Sequence, residues 1–276
     1  MQVRPVAKPS QAKLENLAVV LINPMYSENI GACARACANF GVPNLILVNP
    51  ESLEEEKMRA MATKCGIPIL EKMKVFNSLE EALKDFNYVL GTTARLGRRR
   101  MVFYTPKEIA PEVCSLSINN KVAILFGNER FGLSNEVLAL CDKVITIPTT
   151  ENASLNLAQA VIIILYEIFQ HAATPSFPKP RLANQRELYT MFKIIEATLK
   201  EIDYIPHDNK VLWLTNIKRI LSKVELTAKE VKIIQGFCRQ LLWALGKKLK
   251  PSFEKDLLSQ SDMSEETCQK DTPSQE

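Results

Sequence analysis

The stretch from residue 122 to residue 166 constrains the fold more than any other part of the sequence. Residues 122–126 form an unbroken apolar run of strand length that ends directly in Gly127, Asn128 and Glu129. This pattern predicts a strand buried on both faces, as in a parallel sheet, followed by a loop that can carry functional groups.

A second strand and a helix follow in the same stretch. The predicted strand over 144–147, apolar except at Thr146, ends at Pro148. A polar loop over 149–152 then leads to Ser154, which we expect to cap a helix over 155–166. Ligands of open α/β sheets bind at the carboxyl ends of the strands. The two strand ends and the helix start are therefore predicted to converge on one binding site.

The rest of the first 170 residues repeats the alternation of strands and helices. We predict an α/β fold in which six strands form a mainly parallel sheet with helices on both faces. The predicted strands are residues 17–23, 45–48, 88–90, 122–126 and 144–147, with a weaker one within 68–76.

Changes in composition divide the chain into five segments. Residues 1–16 are expected to be flexible and lack the apolar region of a signal peptide, and residues 17–170 form the α/β domain. A linker with three prolines, 171–180, precedes a small helical extension over 181–250, and the acidic tail 251–276 is expected to be disordered. The helices of the extension are predicted at 181–201, 209–223 and 227–249.

The distribution of charge favours a polyanionic partner. The net charge is +4, but the tail 251–276 has 7 acidic and 2 basic residues, so the rest of the chain has 33 basic and 24 acidic residues and carries +9. A basic body is typical of proteins that bind nucleic acid. The longest apolar stretch, 160–166, is far shorter than the roughly 20 residues that span a bilayer.

The cysteines do not form the pattern of a metal site. Seven are scattered through the chain, and Cys33 and Cys37 lie one helical turn apart. No second pair completes a site, because the only histidines are His171 and His207. Free thiols in a reducing cytosol are the preferred interpretation, so we expect a cytoplasmic protein without a metal.

Further candidate groups lie beside the predicted strands. Asn29 and Gly31 stand at the start of a helix of small residues in which Arg35 either serves a function or faces solvent. Thr92 and Thr93 could bind a polar ligand or form an ordinary turn. The spacing GxExxG after residue 126 differs from GxGxxG, which disfavours a nicotinamide oxidoreductase. Four arginines beside the threonine loop favour phosphate contacts over a solvated charge run: Arg95, Arg98, Arg99 and Arg100.

These motifs give the sequence a specific resemblance. Their order is similar to that of the SpoU (TrmH) branch of the SPOUT superfamily of RNA methyltransferases, over about residues 17–170. The GTTAR segment and the helical extension most resemble the TrmJ subgroup, the tRNA 2′-O-ribose methyltransferases that act on nucleotide 32 of the anticodon loop. The matching motifs are NIGACAR at 29–35, LFGNERFGLSNE at 125–136 and IPTTENASLNLAQAV at 147–161.

The resemblance implies a fold, a cofactor and an assembly. The α/β domain would contain a C-terminal deep trefoil knot, bind S-adenosylmethionine and form a homodimer that acts on tRNA. The cofactor-binding residues would be Thr92, Thr93, Ala94, Gly127, Glu129, Ile147, Ser154, Leu155 and Asn156.

The resemblance also implies catalytic and RNA-binding residues. Because arginine stays protonated in proteins, we expect Arg35 to bind a phosphate and orient the 2′-hydroxyl. The alternative, removal of the hydroxyl proton by Arg35, would require that its charge be strongly disfavoured locally. Ribosomal RNA, another tRNA position and a non-catalytic RNA-binding role remain alternatives, and the C-terminal helices could hold tRNA or extend the dimer. The implied catalytic residues are Arg35, Asn29, Ser154 and Asn156, and the implied RNA contacts are Arg35, Arg95, Arg98, Arg99 and Arg100.

Overall fold

The structure is a computed structural model that describes residues 11–94, 102–150, 154–205, 210–221 and 224–246. Arg95, Arg98, Arg99 and Arg100 and the predicted acidic tail lie outside these ranges. The chain divides into two compact units, with the boundary after Gln185.

The first unit is built on a parallel sheet. Its strand order is β3-β2-β1-β6-β4-β7-β5, and every pair of neighbours is parallel. The α/β class and the parallel sheet predicted from the sequence are confirmed. The strands are β1 Leu17–Ile22, β2 Asn44–Val48, β3 Lys74–Phe76, β4 Tyr88–Thr92, β5 Phe103–Tyr104, β6 Val122–Phe126 and β7 Lys143–Ile145.

Helices cover both faces of this sheet. Leu17, Val19 and Leu21 of β1 belong to one apolar core, and Ala18 and Val20 belong to a second core on the opposite face. Burial on both faces explains why the central strands are continuously apolar. Helices α1, α2, α4 and α6 pack in the first core, and α3 and α5 contribute to the second. They follow a short 3-10 helix, Leu14–Asn16, and are α1 Ser27–Asn39, α2 Glu55–Glu71, α3 Leu79–Leu83, α4 Pro106–Ser117, α5 Asn135–Leu140 and α6 Leu157–Ala172.

The prediction of six strands was wrong, because the described residues form seven. The additional strand, β5, has two residues and pairs with β7 at the edge of the sheet. Two residues are too few to produce a recognisable pattern of hydrophobicity. The predicted third strand is also shorter than expected, since α2 continues past a kink at Thr63 (φ 55°) as far as Glu71.

Close packing of α1 on α2 positions the start of α1. A Cβ atom at Gly31 would lie 2.1 Å from the carbonyl oxygen of Met58 in α2. Glycine is therefore needed for the close approach of the two helix backbones.

The segment that follows α6 belongs to the first unit and packs on the rest of it. Asn120 Nδ2 donates to the carbonyl oxygen of Pro180 over 3.2 Å, and Asn120 Oδ1 accepts from the Leu182 amide over 2.7 Å. Asn87 Nδ2 donates to the carbonyl oxygen of Leu182 over 2.8 Å. These bonds hold residues 180–182 against the N-terminal ends of the central strands.

The second unit is helical. Val231, Gln235, Cys238 and Leu242 of α9 are buried at intervals of three and four residues, as expected for an amphipathic helix. None of the helices in the described ranges is long and apolar enough to cross a membrane. The helices of this unit are α7 Gln185–Glu201, α8 Lys210–Leu221 and α9 Ala228–Ala244.

Candidate active site

A cavity of about 170 Å³ lies where the C-terminal ends of β4, β6 and β7 meet the start of α6. We call it the strand-end cavity. Eight of the nine residues predicted to bind a cofactor line it, and Asn156 is the exception. Its walls include Thr92, Thr93, Ala94, Phe126, Gly127, Glu129, Ile145, Ile147, Ser154 and Leu155.

The loop after β6 folds tightly against itself at this cavity. A Cβ atom at Gly127 would lie 2.1 Å from the carbonyl carbon of Gly132, which itself has a φ of +64°. The Gly132 amide donates to the Asn128 carbonyl over 2.7 Å. Asn128 Nδ2 also donates to the carbonyl oxygen of Asn23 over 2.8 Å, which ties the loop to the end of β1. The two glycines thus allow this loop to form a compact wall of the strand-end cavity, and they do not mark a dinucleotide-binding turn.

The hydroxyl of Thr92 is used within the sheet. Thr92 Oγ1 donates to the carbonyl oxygen of Leu125 over 2.8 Å, and the Thr93 amide donates to the carbonyl oxygen of Ile145 over 3.0 Å. These bonds join the ends of β4, β6 and β7. The Thr92 hydroxyl therefore fixes the cavity wall, and its proton is not available to a ligand.

Glu129 organises the loop between β1 and α1. Its carboxylate accepts hydrogen bonds from the Met25 amide (2.9 Å), the Tyr26 amide (3.4 Å) and Asn29 Nδ2 (2.8 Å). Glu129 was predicted as a cofactor-binding residue. It lines the strand-end cavity, and its observed bonds hold the neighbouring loop in place.

Asn156 caps α6, and this corrects the prediction that Ser154 is the cap. Asn156 Oδ1 accepts from the amides of Ala158 (2.9 Å) and Gln159 (3.4 Å), and the helix begins at Leu157. The reason is a complete capping box, in which the Gln159 side chain accepts from the Asn156 amide over 3.3 Å.

The cap fixes the orientation of two side-chain amides. Since Asn156 Oδ1 is bound to the helix, Asn156 Nδ2 points outward and donates to Asn29 Oδ1 over 3.0 Å. Asn29 must then present its own NH₂ group to the Glu129 carboxylate. We call this chain, Glu129–Asn29–Asn156, the amide relay. It joins one residue from each of the three sequence motifs.

The relay borders a second, more open cavity of about 550 Å³, which we call the helix-start cavity. It adjoins the first, and both share Glu129, Ser154, Leu155 and Leu157. Three of the four predicted catalytic residues, Asn29, Ser154 and Asn156, therefore come together here. The complete lining is Tyr26, Glu28, Asn29, Glu129, Ser154, Leu155, Asn156 and Leu157.

Arg35, the fourth predicted catalytic residue, lies apart from the others. It is exposed on α1 and lines neither cavity. Six helical positions separate it from Asn29, which corresponds to about 9 Å along the axis and about 120° around it. Its guanidinium has no hydrogen bond or salt bridge to any residue that the structure describes.

Sequence reasoning missed Tyr26 and Glu28, which line the helix-start cavity. Tyr26 lies at the end of the loop after β1, and Glu28 lies in the first turn of α1. The rule that ligands bind at strand ends would have included them, had it been applied to β1 as it was to the later strands.

The two cysteines of α1, Cys33 and Cys37, are buried. Burial, with smaller effects of Cys37 and Glu129, raises the pKa of the Cys33 thiol well above its usual value, and burial raises the pKa of Cys37 to about 12. Both are therefore neutral thiols at physiological pH. Within the described ranges, no group of three or more His, Cys, Asp or Glu side chains is arranged to hold a metal ion.

Comparisons with known proteins agree on one family. A family model described as the SpoU rRNA Methylase family matches residues 16–166. A relative from Methanocaldococcus jannaschii, tRNA (cytidine-2′-O-)-methyltransferase TrmJ, is 33% identical over 220 residues, or 78% of this chain and 94% of the relative. A relative from Pseudomonas aeruginosa, tRNA (cytidine/uridine/adenosine-2′-O-)-methyltransferase TrmJ, is 32% identical over 81% of this chain and 92% of the relative. The crystal structure of TrmJ from Z. mobilis matches with a TM-score of 0.69 and 31% identity, over 81% of this chain and 98% of that one.

Proposed function

The chain belongs to the SpoU rRNA methylase family, and on this premise we propose that it transfers a methyl group from S-adenosylmethionine to a ribose 2′-hydroxyl of tRNA. The observation that carries the proposal is the amide relay, because it joins the three motifs at the junction of two cavities. The similarity to relatives named as tRNA 2′-O-methyltransferases, over nearly their whole length, supports tRNA as the substrate.

We assign S-adenosylmethionine to the strand-end cavity. Its apolar walls, which include Ile145, Ile147 and Leu155, suit an adenine ring. When bound, the cofactor supplies a methyl group activated by a sulfonium charge. The main task of the protein is then to position the acceptor hydroxyl.

The helix-start cavity is the proposed place for the target ribose. Asn29 and Asn156 present amides whose orientations the relay sets, and the Ser154 hydroxyl lies on the wall shared with the cofactor. Arg35 is proposed to bind a neighbouring phosphate and to orient the 2′-hydroxyl. The arginines at 95, 98, 99 and 100 are proposed to contact the RNA backbone.

A homodimer is part of the proposal, because Arg35 lies apart from both cavities in one copy of the chain. An apolar stripe on the outer side of α6 supports it. Ile162, Tyr166 and Phe169 recur at helical spacing and are 42%, 47% and 46% exposed. The rings of Tyr166 and Phe169 lie 6.2 and 5.9 Å from that of Phe40 at the end of α1. Contiguous exposed aromatic surface of this kind is typical of an interface.

The finer features rest on the resemblance to the TrmJ subgroup. They are methylation of cytidine or uridine at nucleotide 32 of the anticodon loop, the deep trefoil knot and a cytoplasmic location. Methylation of ribosomal RNA is the second candidate, favoured by the description of the matching family.

The decisive experiment is mass-spectrometric mapping of ribose methylation in unmodified tRNA and ribosomal RNA after incubation with the purified protein and S-adenosylmethionine. We expect 2′-O-methylation at nucleotide 32 of tRNA. Methylation of ribosomal RNA alone would select the second candidate. Absence of S-adenosylmethionine binding in calorimetry at millimolar ligand would instead indicate a non-catalytic relative.

The role of Arg35 is tested by Arg35→Ala, with Arg59→Ala on α2 as a matched control, since Arg59 is also exposed and pairs with Glu55 on its own helix. We expect Arg35→Ala to abolish turnover and to spare cofactor affinity, and Arg59→Ala to change neither. Near-wild-type turnover of Arg35→Ala would contradict the assignment.

A further inference from the structure

We propose that Tyr26 is the platform on which a base of the RNA substrate stacks, an inference that rests on the function proposed above. Tyr26 lines the helix-start cavity together with Asn29 and Asn156, the residues assigned to the target ribose. Tyr26 is 46% exposed. An aromatic face is therefore open to solvent beside the place where the ribose would bind.

The backbone of Tyr26 is held on both sides. Its amide donates to Glu129 over 3.4 Å, and its carbonyl oxygen accepts from the amides of Asn29 (3.1 Å) and Ile30 (3.3 Å) at the start of α1. The side chain plays no part in this anchoring, because it makes no capping hydrogen bond. Nor does the ring contact another aromatic ring within the described ranges. A fixed backbone and two side-chain torsions leave the ring little freedom to lose on binding.

The charges of the cavity favour a nucleoside over a phosphate. The charged groups in its lining are the carboxylates of Glu28 and Glu129, and no basic side chain of the described residues lines it. The Glu129 carboxylate accepts three hydrogen bonds. Glu28 forms a 3.8 Å ion pair with Lys57, which does not line the cavity. A phosphate would meet carboxylates there. A ribose and its base would meet amides, a hydroxyl and the Tyr26 ring.

The base of the target nucleotide is thus the proposed occupant of the ring face. Single-stranded RNA is commonly recognised by bases that leave their stack and pack on aromatic side chains. Stacking changes affinity by about tenfold or more per base and tolerates any base, because every base has a π face. The ring would stack on cytosine and uracil alike, because it makes no hydrogen bond to the edge of the base.

The test compares Tyr26→Ala, Tyr26→Phe and Tyr26→Trp in the full chain. Phe177→Ala serves as a control, because Phe177 is an exposed aromatic residue of the same unit that lines neither cavity. The measurements are the KM and kcat with an unmodified tRNA transcript, tRNA affinity by fluorescence anisotropy, S-adenosylmethionine affinity by calorimetry and oligomeric state by light scattering.

We expect Tyr26→Ala to raise the KM and Kd for tRNA by about tenfold or more. Cofactor affinity and oligomeric state should stay unchanged. Phe and Trp keep a ring and should restore most of the tRNA affinity, and the control variant should match the wild type. The loss should be similar for targets with cytidine and uridine.

Three results would overturn the inference. Unchanged tRNA affinity in Tyr26→Ala would exclude stacking. Equal losses in Tyr26→Ala and Tyr26→Phe would assign the role to the hydroxyl. A change of oligomeric state in Tyr26→Ala would mean that a second copy of the chain covers the ring. A wild-type protein that binds neither S-adenosylmethionine nor RNA would instead refute the proposed function, and this inference with it.

Discussion

Replacing Glu129 with glutamine changes one atom of the amide relay and leaves its shape unaltered. The wild-type carboxylate accepts from three donors, the amides of Met25 and Tyr26 and Asn29 Nδ2. Glutamine has one oxygen and one NH₂ group. Its NH₂ group must therefore face a donor, either at Met25 or at Asn29.

A half-turn flip of the Asn29 side-chain amide does not remove this donor–donor contact from the relay. A flipped Asn29 would place its NH₂ group against Asn156 Nδ2, and Asn156 cannot turn without losing the cap of α6. One donor–donor contact remains in every arrangement. A lost hydrogen bond to a charged group costs about 1.5–3 kcal/mol. We expect the lower half of this range, since these contacts are partly or fully exposed to water.

A second substitution should repair the defect. Asn29→Asp alone places two carboxylates about a hydrogen-bond length apart and should destabilise the protein more than Glu129→Gln does. In the double variant, the glutamine NH₂ group donates to the carboxylate introduced at position 29. That carboxylate still accepts from Asn156, and the glutamine oxygen accepts from the Met25 amide. Only the 3.4 Å contact of Tyr26 is lost.

The assay is a double-mutant cycle on the free energy of unfolding, measured by urea denaturation. We expect the double variant to lie within about 1 kcal/mol of the wild type, with a favourable coupling energy of about 1–3 kcal/mol between the two positions. Glu28→Gln is the control, because its 3.8 Å pair with Lys57 is exposed and worth about 0–1 kcal/mol. Additive effects of the two substitutions would refute the relay.

Three further outcomes are expected. Gly31→Ala should lower the free energy of unfolding by about 1–3 kcal/mol, because the new Cβ would lie 2.1 Å from a carbonyl oxygen of α2; unchanged urea denaturation would contradict the close packing of α1 on α2. Partial burial opposes ionisation of Glu112, but hydrogen bonds from Lys143 and Tyr88, together with the positive charges of Lys143 and Lys179, outweigh it and lower the pKa of Glu112. The stability from Glu112 is thus complete above its unfolded pKa of about 4.3 and is lost as pH falls through the lower folded value. Glu112→Gln should then cost roughly 1–2 kcal/mol at pH 7 and less below pH 4, and a cost that did not change with pH would oppose this. Burial, with a smaller effect of Asp142, raises the pKa of Cys141 to about 12, so iodoacetamide at pH 8 should label exposed Cys65 well before Cys141, as peptide mass spectrometry would show.

Much of the fold was predictable because local patterns determine where strands and helices form. The apolar run at 122–126 became β6 with the predicted bounds, and the polar residues after it became one wall of the strand-end cavity. The cap of α6 could also have been read from local sequence. Ser154 and Asn156 are both good capping residues, but only Asn156 is followed three positions later by a glutamine, which is the spacing of a capping box. The hydrogen bond from Asn156 to Asn29, in contrast, joins residues that only the folded chain brings close.

The placement of Arg35 shows the same limit at the site. Its motif predicts a functional arginine, and the helix that carries it was recognised from its small residues. Helical geometry alone separates Arg35 from Asn29 by about 120° around α1, and the rotation of α1, to which the close contact of Gly31 with α2 contributes, decides which of the two faces the cavities. Within one chain, that rotation directs Asn29 to the helix-start cavity and leaves Arg35 outside both cavities.

The sequence by itself determined the α/β class, the parallel sheet and the motifs that identify the family, because each depends on hydrophobicity and residue type over short segments. Only the tertiary structure decided the strand order, the two-residue edge strand β5 and the hydrogen bonds that join the amides of the relay. The physical reason is distance along the chain. Asn29 lies 100 positions from Glu129 and 127 from Asn156, and the hydrogen bonds among them exist only once the sheet places β1, β6 and the start of α6 together.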